Sequence, residues 1–101
     1  MSTLYVSSAV SGDVTVIQQG ADQRFKTIQT LTLGFHPAPM CFNPADSTLC
    51  IAQRGESASL AICHANKDNG LLQAPTHIPL AARASYLGLH PRMQSLVAVS
   101  Y

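Results

Sequence analysis

Apolar and polar residues alternate in short runs along most of the chain, and turn-forming residues separate these runs. A period of two is typical of half-buried β-strands, because successive side chains of a strand point to opposite faces. No segment keeps the roughly 3.6-residue period of an amphipathic helix, so we expect little helix. The pattern predicts nine strands, over residues 3–7, 13–18, 25–33, 40–43, 48–54, 59–65, 71–80, 85–90 and 95–101.

The connections between these runs contain residues that favour turns. Pro44 and Pro91 stand at the same place in two polar segments, and proline presets φ at the first corner of a turn. The polar segment 66–70 ends in glycine, which also predicts a turn. We expect the seventh strand to be interrupted at Pro75 and Pro79, because proline cannot donate to the sheet ladder.

Two stretches of the chain match each other at a fixed offset of 47 residues, 41–51 and 88–98. A third, shorter copy at 4–6 precedes 49–51 by 45 residues. Repeats of about 40–50 residues that contain short strands are typical of β-propeller blades. The matched pairs are Phe42 with Leu89, Asn43 with His90, Pro44 with Pro91 and Leu49 with Leu96.

The repeat predicts an all-β fold of four-stranded antiparallel propeller blades. One full blade is expected at about 34–80, between a partial blade at about 1–33 and another at about 81–101. A closed ring needs about four blades or more. We therefore expect an incomplete ring, a piece of a larger propeller, or else a small β domain that only mimics one.

Composition adds an expectation about the surface. Charged residues make up only 11% of the chain, against roughly 25% in an ordinary soluble domain. Propeller repeats bury their apolar faces only against neighbouring repeats, and terminal strands leave unpaired edges. We expect self-association through the exposed blade faces, or coverage of these faces by further blades.

The charge pattern and the absence of long apolar runs exclude several classes of partner. The net charge is +1 and the six Lys and Arg residues are scattered, which argues against a nucleic-acid partner. No apolar run approaches the roughly 18 residues of a membrane helix, and the N-terminus lacks the pattern of a secretory signal, so a cytoplasmic protein is expected. Cys41, Cys50 and Cys63 each lie in an apolar stretch, which favours buried free thiols.

The chain contains five short motifs: LYVSS at 4–8, GDVTV at 12–16, PMCFNP at 39–44, LCIAQR at 49–54 and LVAVSY at 96–101. Together these motifs resemble the N-terminal part of the seven-bladed propeller lactonases, whose best-known members are bacterial 6-phosphogluconolactonases. The resemblance implies hydrolysis of a sugar-acid lactone, 6-phospho-D-glucono-1,5-lactone giving 6-phosphogluconate, by a complete ring, with this segment inactive alone. The alternative is a non-catalytic structural or binding module of the propeller type.

The resemblance also suggests substrate-binding residues. It implies that Arg54 faces the channel and holds a phosphate or carboxylate, and that Tyr101 donates a hydrogen bond there. Tyr86 stands where the family often has a histidine, and its phenol could donate to a substrate. His36, in the loop after the third strand, could be a general base or a phosphate donor. The alternatives are an arginine in water, two packing aromatics and an exposed loop histidine.

No signature of a catalytic nucleophile, phosphate loop or metal site is present in the sequence. His64, His77 and His90 are spaced by 13 residues, which matches no ligand spacing, so the interval is ascribed to chance. No metal and no cofactor are expected, and the sequence does not identify the catalytic base.

Overall fold

The computed structural model describes residues 2–34, 36–55, 57–84, 86–90 and 95–99. All nine predicted strands are present in this part of the chain, and it contains no helix. The strands are β1 (Thr3–Ser8), β2 (Asp13–Gln19), β3 (Phe25–Thr32), β4 (Pro37–Asn43), β5 (Thr48–Gln53), β6 (Ser59–His64), β7 (Thr76–Pro79), β8 (Tyr86–His90) and β9 (Ser95–Val99).

The strands form three antiparallel sheets in chain order. The first has the order β1-β2-β3, the second β4-β5-β6-β7, and the third β8-β9. Strand β4, at one edge of the second sheet, approaches both β1 and β8, so that the sheets lie side by side like successive blades. The predicted fold class, all-β with partial propeller blades, is confirmed.

The two matched stretches of sequence are equivalent hairpins. Phe42 pairs with Leu49 across β4 and β5, and Leu89 pairs with Leu96 across β8 and β9. The same correspondence holds at the turn, where the paired residues are Asn43 with Thr48 and His90 with Ser95. The offset of 47 residues is therefore preserved on both strands of the hairpin.

Two strands differ from their predicted bounds for reasons that involve proline. The predicted strand 71–80 is reduced to β7 and a separate bridge between Leu72 and Ala65, because Pro75 interrupts the ladder. Strand β4 begins three residues earlier than predicted, at Pro37, which lies opposite Gln53. Its register is irregular between Pro37 and Met40, which makes the start of this strand hard to recognise from sequence.

Strand β5 is buried on both faces. Leu49 and Ile51 belong to a core cluster with Val14 and Val16 of the first sheet, whereas Cys50 and Ala52 pack with Leu87 of the third. A strand that contacts a neighbouring sheet on each face has no polar face, and this explains the continuous apolar run LCIA.

The three cysteines lie close to this core and are free thiols. Cys50 and Cys63 are buried, as predicted, whereas Cys41 on β4 is only partly buried. Cys41 is the cross-strand partner of Cys50, which explains why Cys41 packs beside the cluster of Cys50, Ala52 and Leu87.

Candidate functional site

The loops after β1, β3, β5 and β7 lie at one end of the sheets, because neighbouring strands run antiparallel. We call this end the Arg54 rim. It carries His36, Arg54 and Arg83, all of which are exposed. The turns at the other end connect β2 to β3, β4 to β5 and β6 to β7.

His36 and Arg54 are brought together by the backbone. The Arg54 N–H donates to the carbonyl oxygen of His36 at 3.1 Å, which joins the loop after β3 to the end of β5. Two of the four residues predicted to bind substrate are therefore neighbours on one rim. The guanidinium of Arg54 is exposed, so it is accessible to an anion from solvent.

The ring of His36 is held in one orientation although its side chain is exposed. Its Nδ1 lies 2.9 Å from the carbonyl oxygen of Ala9. A carbonyl oxygen can only accept a hydrogen bond, so Nδ1 is the protonated nitrogen of the neutral ring and Nε2 retains its lone pair. The φ of His36 is 51°, in the left-handed region that non-glycine residues seldom adopt.

The loop that carries His36 is fixed to both neighbouring elements. The Gly12 carbonyl accepts hydrogen bonds from the N–H groups of Leu33 and Gly34, each at 2.8 Å. Gly12 has a φ of 73°, and a Cβ there would lie 3.1 Å from the Gly34 Cα, so the backbone conformation and the close approach both favour glycine. On the other side, Gln53 donates from Nε2 to the Gly34 carbonyl at 2.8 Å. His36 thus occupies a preorganised position.

Arg83 also lies at the Arg54 rim, and nothing in the sequence pattern predicts this position. Its Nε–H donates to the Gly55 carbonyl at 3.2 Å, and Gly55 directly follows Arg54. This neighbourhood depends on how the loop after β7 folds back over the loop after β5. Neither the alternation of apolar residues nor the repeat offset places Arg83 there.

The side chains of the two tyrosines predicted to bind substrate lie outside the described part of the chain. The backbone of Tyr86 opens β8 and pairs with Val99, and its side chain lies outside the described part of the chain. Tyr101 lies outside the described residues altogether. The described site therefore consists of His36, Arg54 and Arg83.

A second cleft lies at the opposite end of the sheets and contains none of these residues. It has a volume of about 370 Å³ and lies between β1, β4 and the loop after β6. The rings of Tyr5 and Phe42 stack there with centroids 6.0 Å apart. The Tyr5 hydroxyl donates to the Gly70 carbonyl at 2.8 Å, so this aromatic pair also fastens the loop after β6.

Within the described ranges, no three His, Cys, Asp or Glu side chains are grouped as metal ligands. The same part of the chain contains no helix long and apolar enough to cross a membrane. The described rim carries one imidazole, two guanidinium groups and the carboxylate of Asp13.

The architecture matches that of a solved structure. A protein from Bacteroides uniformis ATCC 8492, proposed to be a 6-phosphogluconolactonase and solved at 2.20 Å resolution, superposes with a TM-score of 0.81. The match covers 93% of this chain at 23% sequence identity, and the chain spans 28% of the length of that protein. No family model and no curated protein matches the sequence. At this identity the comparison establishes the fold, which is that of blades from a propeller similar to this lactonase-like protein.

Proposed function

We propose that this chain forms one sector of the substrate channel of a propeller lactonase that hydrolyses a sugar-acid lactone. The substrate we propose is 6-phospho-D-glucono-1,5-lactone, and the product is 6-phosphogluconate. The observation that supports this proposal is the backbone hydrogen bond between Arg54 and His36, which makes an arginine and a histidine neighbours on one rim. The similarity in fold to the Bacteroides uniformis protein agrees with it.

In the proposed reaction Arg54 binds the anionic group of the substrate. A guanidinium offers two parallel N–H donors to a phosphate or carboxylate, which fixes the orientation of the sugar acid. This contact positions the ester carbonyl at the rim, and such positioning can contribute several kcal/mol to catalysis.

His36 is the base of the proposed reaction. Its Nε2 accepts a proton from the water that attacks the ester carbonyl carbon, while the Ala9 carbonyl stabilises the imidazolium through Nδ1–H. The bond between the carbonyl carbon and the ring oxygen then breaks. The ring oxygen takes up the proton as a hydroxyl group, and the product is a hydroxy acid.

A propeller channel is formed jointly by several blades, so the proposal concerns one part of the machinery. The chain corresponds to 28% of the length of the Bacteroides uniformis protein. We expect the chain alone to hydrolyse the lactone no faster than buffer does. Tyr86 and Tyr101 remain proposed substrate contacts.

Binding and catalysis are tested separately. In a nitrogen-15 NMR titration of the chain with 6-phosphogluconate, the largest shifts are expected at His36 and Arg54. Arg54→Ala should weaken binding by about tenfold or more, as expected for a charge-assisted contact. Unchanged affinity in this variant would remove Arg54 from the site.

Catalysis is tested in a chimera in which the chain replaces the aligned segment of the Bacteroides uniformis protein. Within an active chimera, His36→Asn is the matched variant, because asparagine tolerates positive φ and its amide replaces the Nδ1 donor. A fall in kcat of about 100-fold with KM little changed is expected. Equal kcat in both forms would exclude His36 as the base.

The second candidate is a propeller module that binds or supports a partner without catalysis. It is favoured by the open edge of β1, which pairs only with β2 in the described structure. An active chimera whose kcat depends on His36 would contradict this alternative. Absence of binding at the rim, together with an inactive but folded chimera, would favour it.

A further inference from the structure

We propose that Cys41 and Cys50 form a redox-active pair of thiols, which a hydroperoxide oxidises to a reversible disulfide between β4 and β5. The inference is independent of the proposed function, because it concerns the middle of a hairpin and not the Arg54 rim. The sequence alone does not single out this pair, since any two of the three cysteines are candidates.

The register of the hairpin places the two cysteines directly opposite each other. Cys41 pairs with Cys50 in the antiparallel ladder, so their side chains leave the sheet on the same face. On this face Cys41 packs against the cluster that contains Cys50 and Leu87. Both thiols are free, and Cys41 is the more accessible of the two. The pair therefore meets the first condition for a disulfide, that the two Cβ atoms point the same way.

The type of pair follows from the direction of the backbone groups along β5, which is regular throughout its pairing with β6. The Arg54 N–H points to the side of β4, since it donates to the His36 carbonyl at 3.1 Å. The N–H groups of alternate residues in a strand point the same way, so that of Cys50 also faces β4. Cys41 and Cys50 are thus a hydrogen-bonded pair, whose Cα atoms lie about 5.5 Å apart in antiparallel sheets. Disulfides most often join Cα atoms about 5.5–6 Å apart.

The Cβ separation makes the disulfide easy to reduce again. Cβ atoms of directly opposite residues lie about 4.5–5.5 Å apart, and the longer distance applies to hydrogen-bonded pairs. A disulfide holds its Cβ atoms about 3.5–4.5 Å apart, so closure draws the two strands together by roughly 1 Å. A disulfide strained in this way has a more oxidising potential, which is typical of labile and regulatory bonds and not of structural ones.

Cys63 lies on the opposite face of the sheet and does not belong to the pair. It is the cross-strand partner of Leu49, and adjacent residues of a strand point to opposite faces, so Cys63 and Cys50 point away from each other. The side chain of Cys63 packs in the other core cluster, with Val14 and Val16. Cys63 is therefore an internal control thiol.

The oxidation transfers two electrons from the thiols to the peroxide in two steps. The Cys41 thiolate attacks one oxygen of the O–O bond and becomes a sulfenic acid, while the other oxygen takes up the thiol proton and leaves as an alcohol or, from hydrogen peroxide, as water. The Cys50 sulfur then attacks the sulfenic sulfur, the S–S bond forms, and the hydroxyl group leaves as water with the Cys50 proton. Burial raises the pKa of the Cys50 thiol, with smaller contributions from Cys41 and Asp46, so Cys41 reacts first.

The experiment treats the chain with hydrogen peroxide at neutral pH, alkylates the remaining thiols with iodoacetamide in urea and maps the peptides by mass spectrometry. Trypsin cleaves after Lys26 and Arg54, so Cys41 and Cys50 are on one peptide and Cys63 is on the next. We expect the first peptide to lose two hydrogen atoms and to carry no label, and the second to carry one label. An excess of reduced glutathione before alkylation should restore both thiols of the first peptide.

Variants assign the bond to the two residues. Cys63→Ala should form the same disulfide at the same rate, whereas Cys41→Ser should form no disulfide within the chain. A bond from Cys63 to either other cysteine of the original chain would overturn the assigned pair. Oxidation of Cys41 to the sulfinic acid with no disulfide would overturn it as well. Both of these results are read on the original chain, so the proposal stays testable if a variant does not fold.

A second measurement tests the position of the bond in the fold. Because both sulfur atoms lie on the face that packs against the third sheet, oxidation should shift the nitrogen-15 NMR resonances of Ala84 and Leu87 more than those of Val14 and Val16. Return of the original spectrum after reduction is expected. Larger shifts in the cluster of Val14 and Val16 would contradict the face assigned to the pair.

Discussion

The side chain of Gln53 is completely buried and donates from Nε2 to the backbone carbonyl of Gly34 at 2.8 Å. This hydrogen bond connects the last residue of β5 to the loop that leaves β3, and so joins the first sheet to the second. The same nitrogen lies 3.3 Å from the Leu33 carbonyl. The Oε1 of Gln53 is buried and has no partner among the described residues. Because this loop also carries His36, the amide supports the geometry of the rim.

The first prediction concerns Gln53→Met, which keeps a similar shape but removes the donor. The Gly34 carbonyl then loses a buried partner, while the unpartnered Oε1 disappears, so the loss of unfolding free energy should be about 1–2 kcal/mol. Gln53→Glu should lose more unfolding free energy than Gln53→Met near neutral pH, because it places a charged acceptor against a carbonyl oxygen.

The sign of the pH effect distinguishes the two variants. Burial favours the neutral acid and raises the pKa of the new carboxyl in the folded state above its unfolded value near about 4.3. Gln53→Glu should therefore regain stability as pH falls, since a protonated carboxyl can donate to Gly34, whereas Gln53→Met should not. Urea unfolding at neutral and acidic pH measures the stability of both variants. An equal change in unfolding free energy with pH in the two variants would contradict the assigned hydrogen bond.

The second prediction uses two glycines with similar backbone conformations. Gly70 has a φ of 78° and Gly34 a φ of 71°, so alanine is strained at both. A Cβ on Gly70 would lie 2.8 Å from the Thr3 Cγ2, whereas one on Gly34 would meet nothing within 4 Å. Gly34→Ala should lower the unfolding free energy by about 1 kcal/mol, and Gly70→Ala should lower it by about 1–2 kcal/mol more. Equal urea midpoints would show that the loop after β6 does not pack on β1 as described.

Much of the fold could be predicted from the sequence because it is encoded locally. Alternation located all nine strands, and the match of Phe42 with Leu89 gave the correct hairpin register. The interruption of the predicted strand 71–80 at Pro75 was expected, and β7 ends at Pro79. The early start of β4 was missed, since Pro37 pairs within an irregular ladder. The positions of strand ends depend on neighbouring sheets, and these are not visible in a local pattern.

The candidate site was only partly predictable. The order of the strands places His36 and Arg54 at one end, and this follows from the sequence. The φ of His36, the orientation of its ring by Ala9 and the contact between Arg83 and Gly55 depend on how the loops fold against each other. Such contacts are set by tertiary packing, so periodicity and composition could not have revealed them.

The third prediction concerns self-association. The outer side chains of β1 are apolar, with Leu4 46% and Val6 47% exposed, and β1 pairs on one side only with β2. Open strand edges with apolar side chains favour pairing with another chain, and lysine on such an edge opposes it. We expect association at micromolar concentration and a weaker tendency in Val6→Lys. Sedimentation equilibrium measures both, and a monomer of 10.7 kDa at all concentrations would exclude this surface.

The fourth prediction concerns the reactivity of the thiols. Cys63 is completely buried, and burial, with a smaller contribution from the neighbouring Cys50, raises its pKa to about 11 from an ordinary value of 9.0. The pKa of Cys50 is also raised, first by burial and then by Cys41 and Asp46. Because the thiolate is the reactive form, the partly buried Cys41 should be alkylated first at neutral pH. Mass spectrometry of peptides after brief treatment with iodoacetamide gives the order, and early labelling of Cys63 would contradict its burial.

The raised pKa of Cys63 also makes stability depend on pH in the alkaline range. Between about pH 9 and pH 11 the unfolded chain has already lost the thiol proton that the folded chain retains. The contribution of Cys63 to the unfolding free energy should therefore be constant below about pH 9 and fall as pH rises towards 11, by at most about 3 kcal/mol. Cys63→Ala should start from a lower stability, because it leaves a small cavity, and should lose less over the same range. Urea unfolding at a series of alkaline pH values measures the two slopes. Identical slopes would show that Cys63 ionises equally easily in the folded and unfolded states.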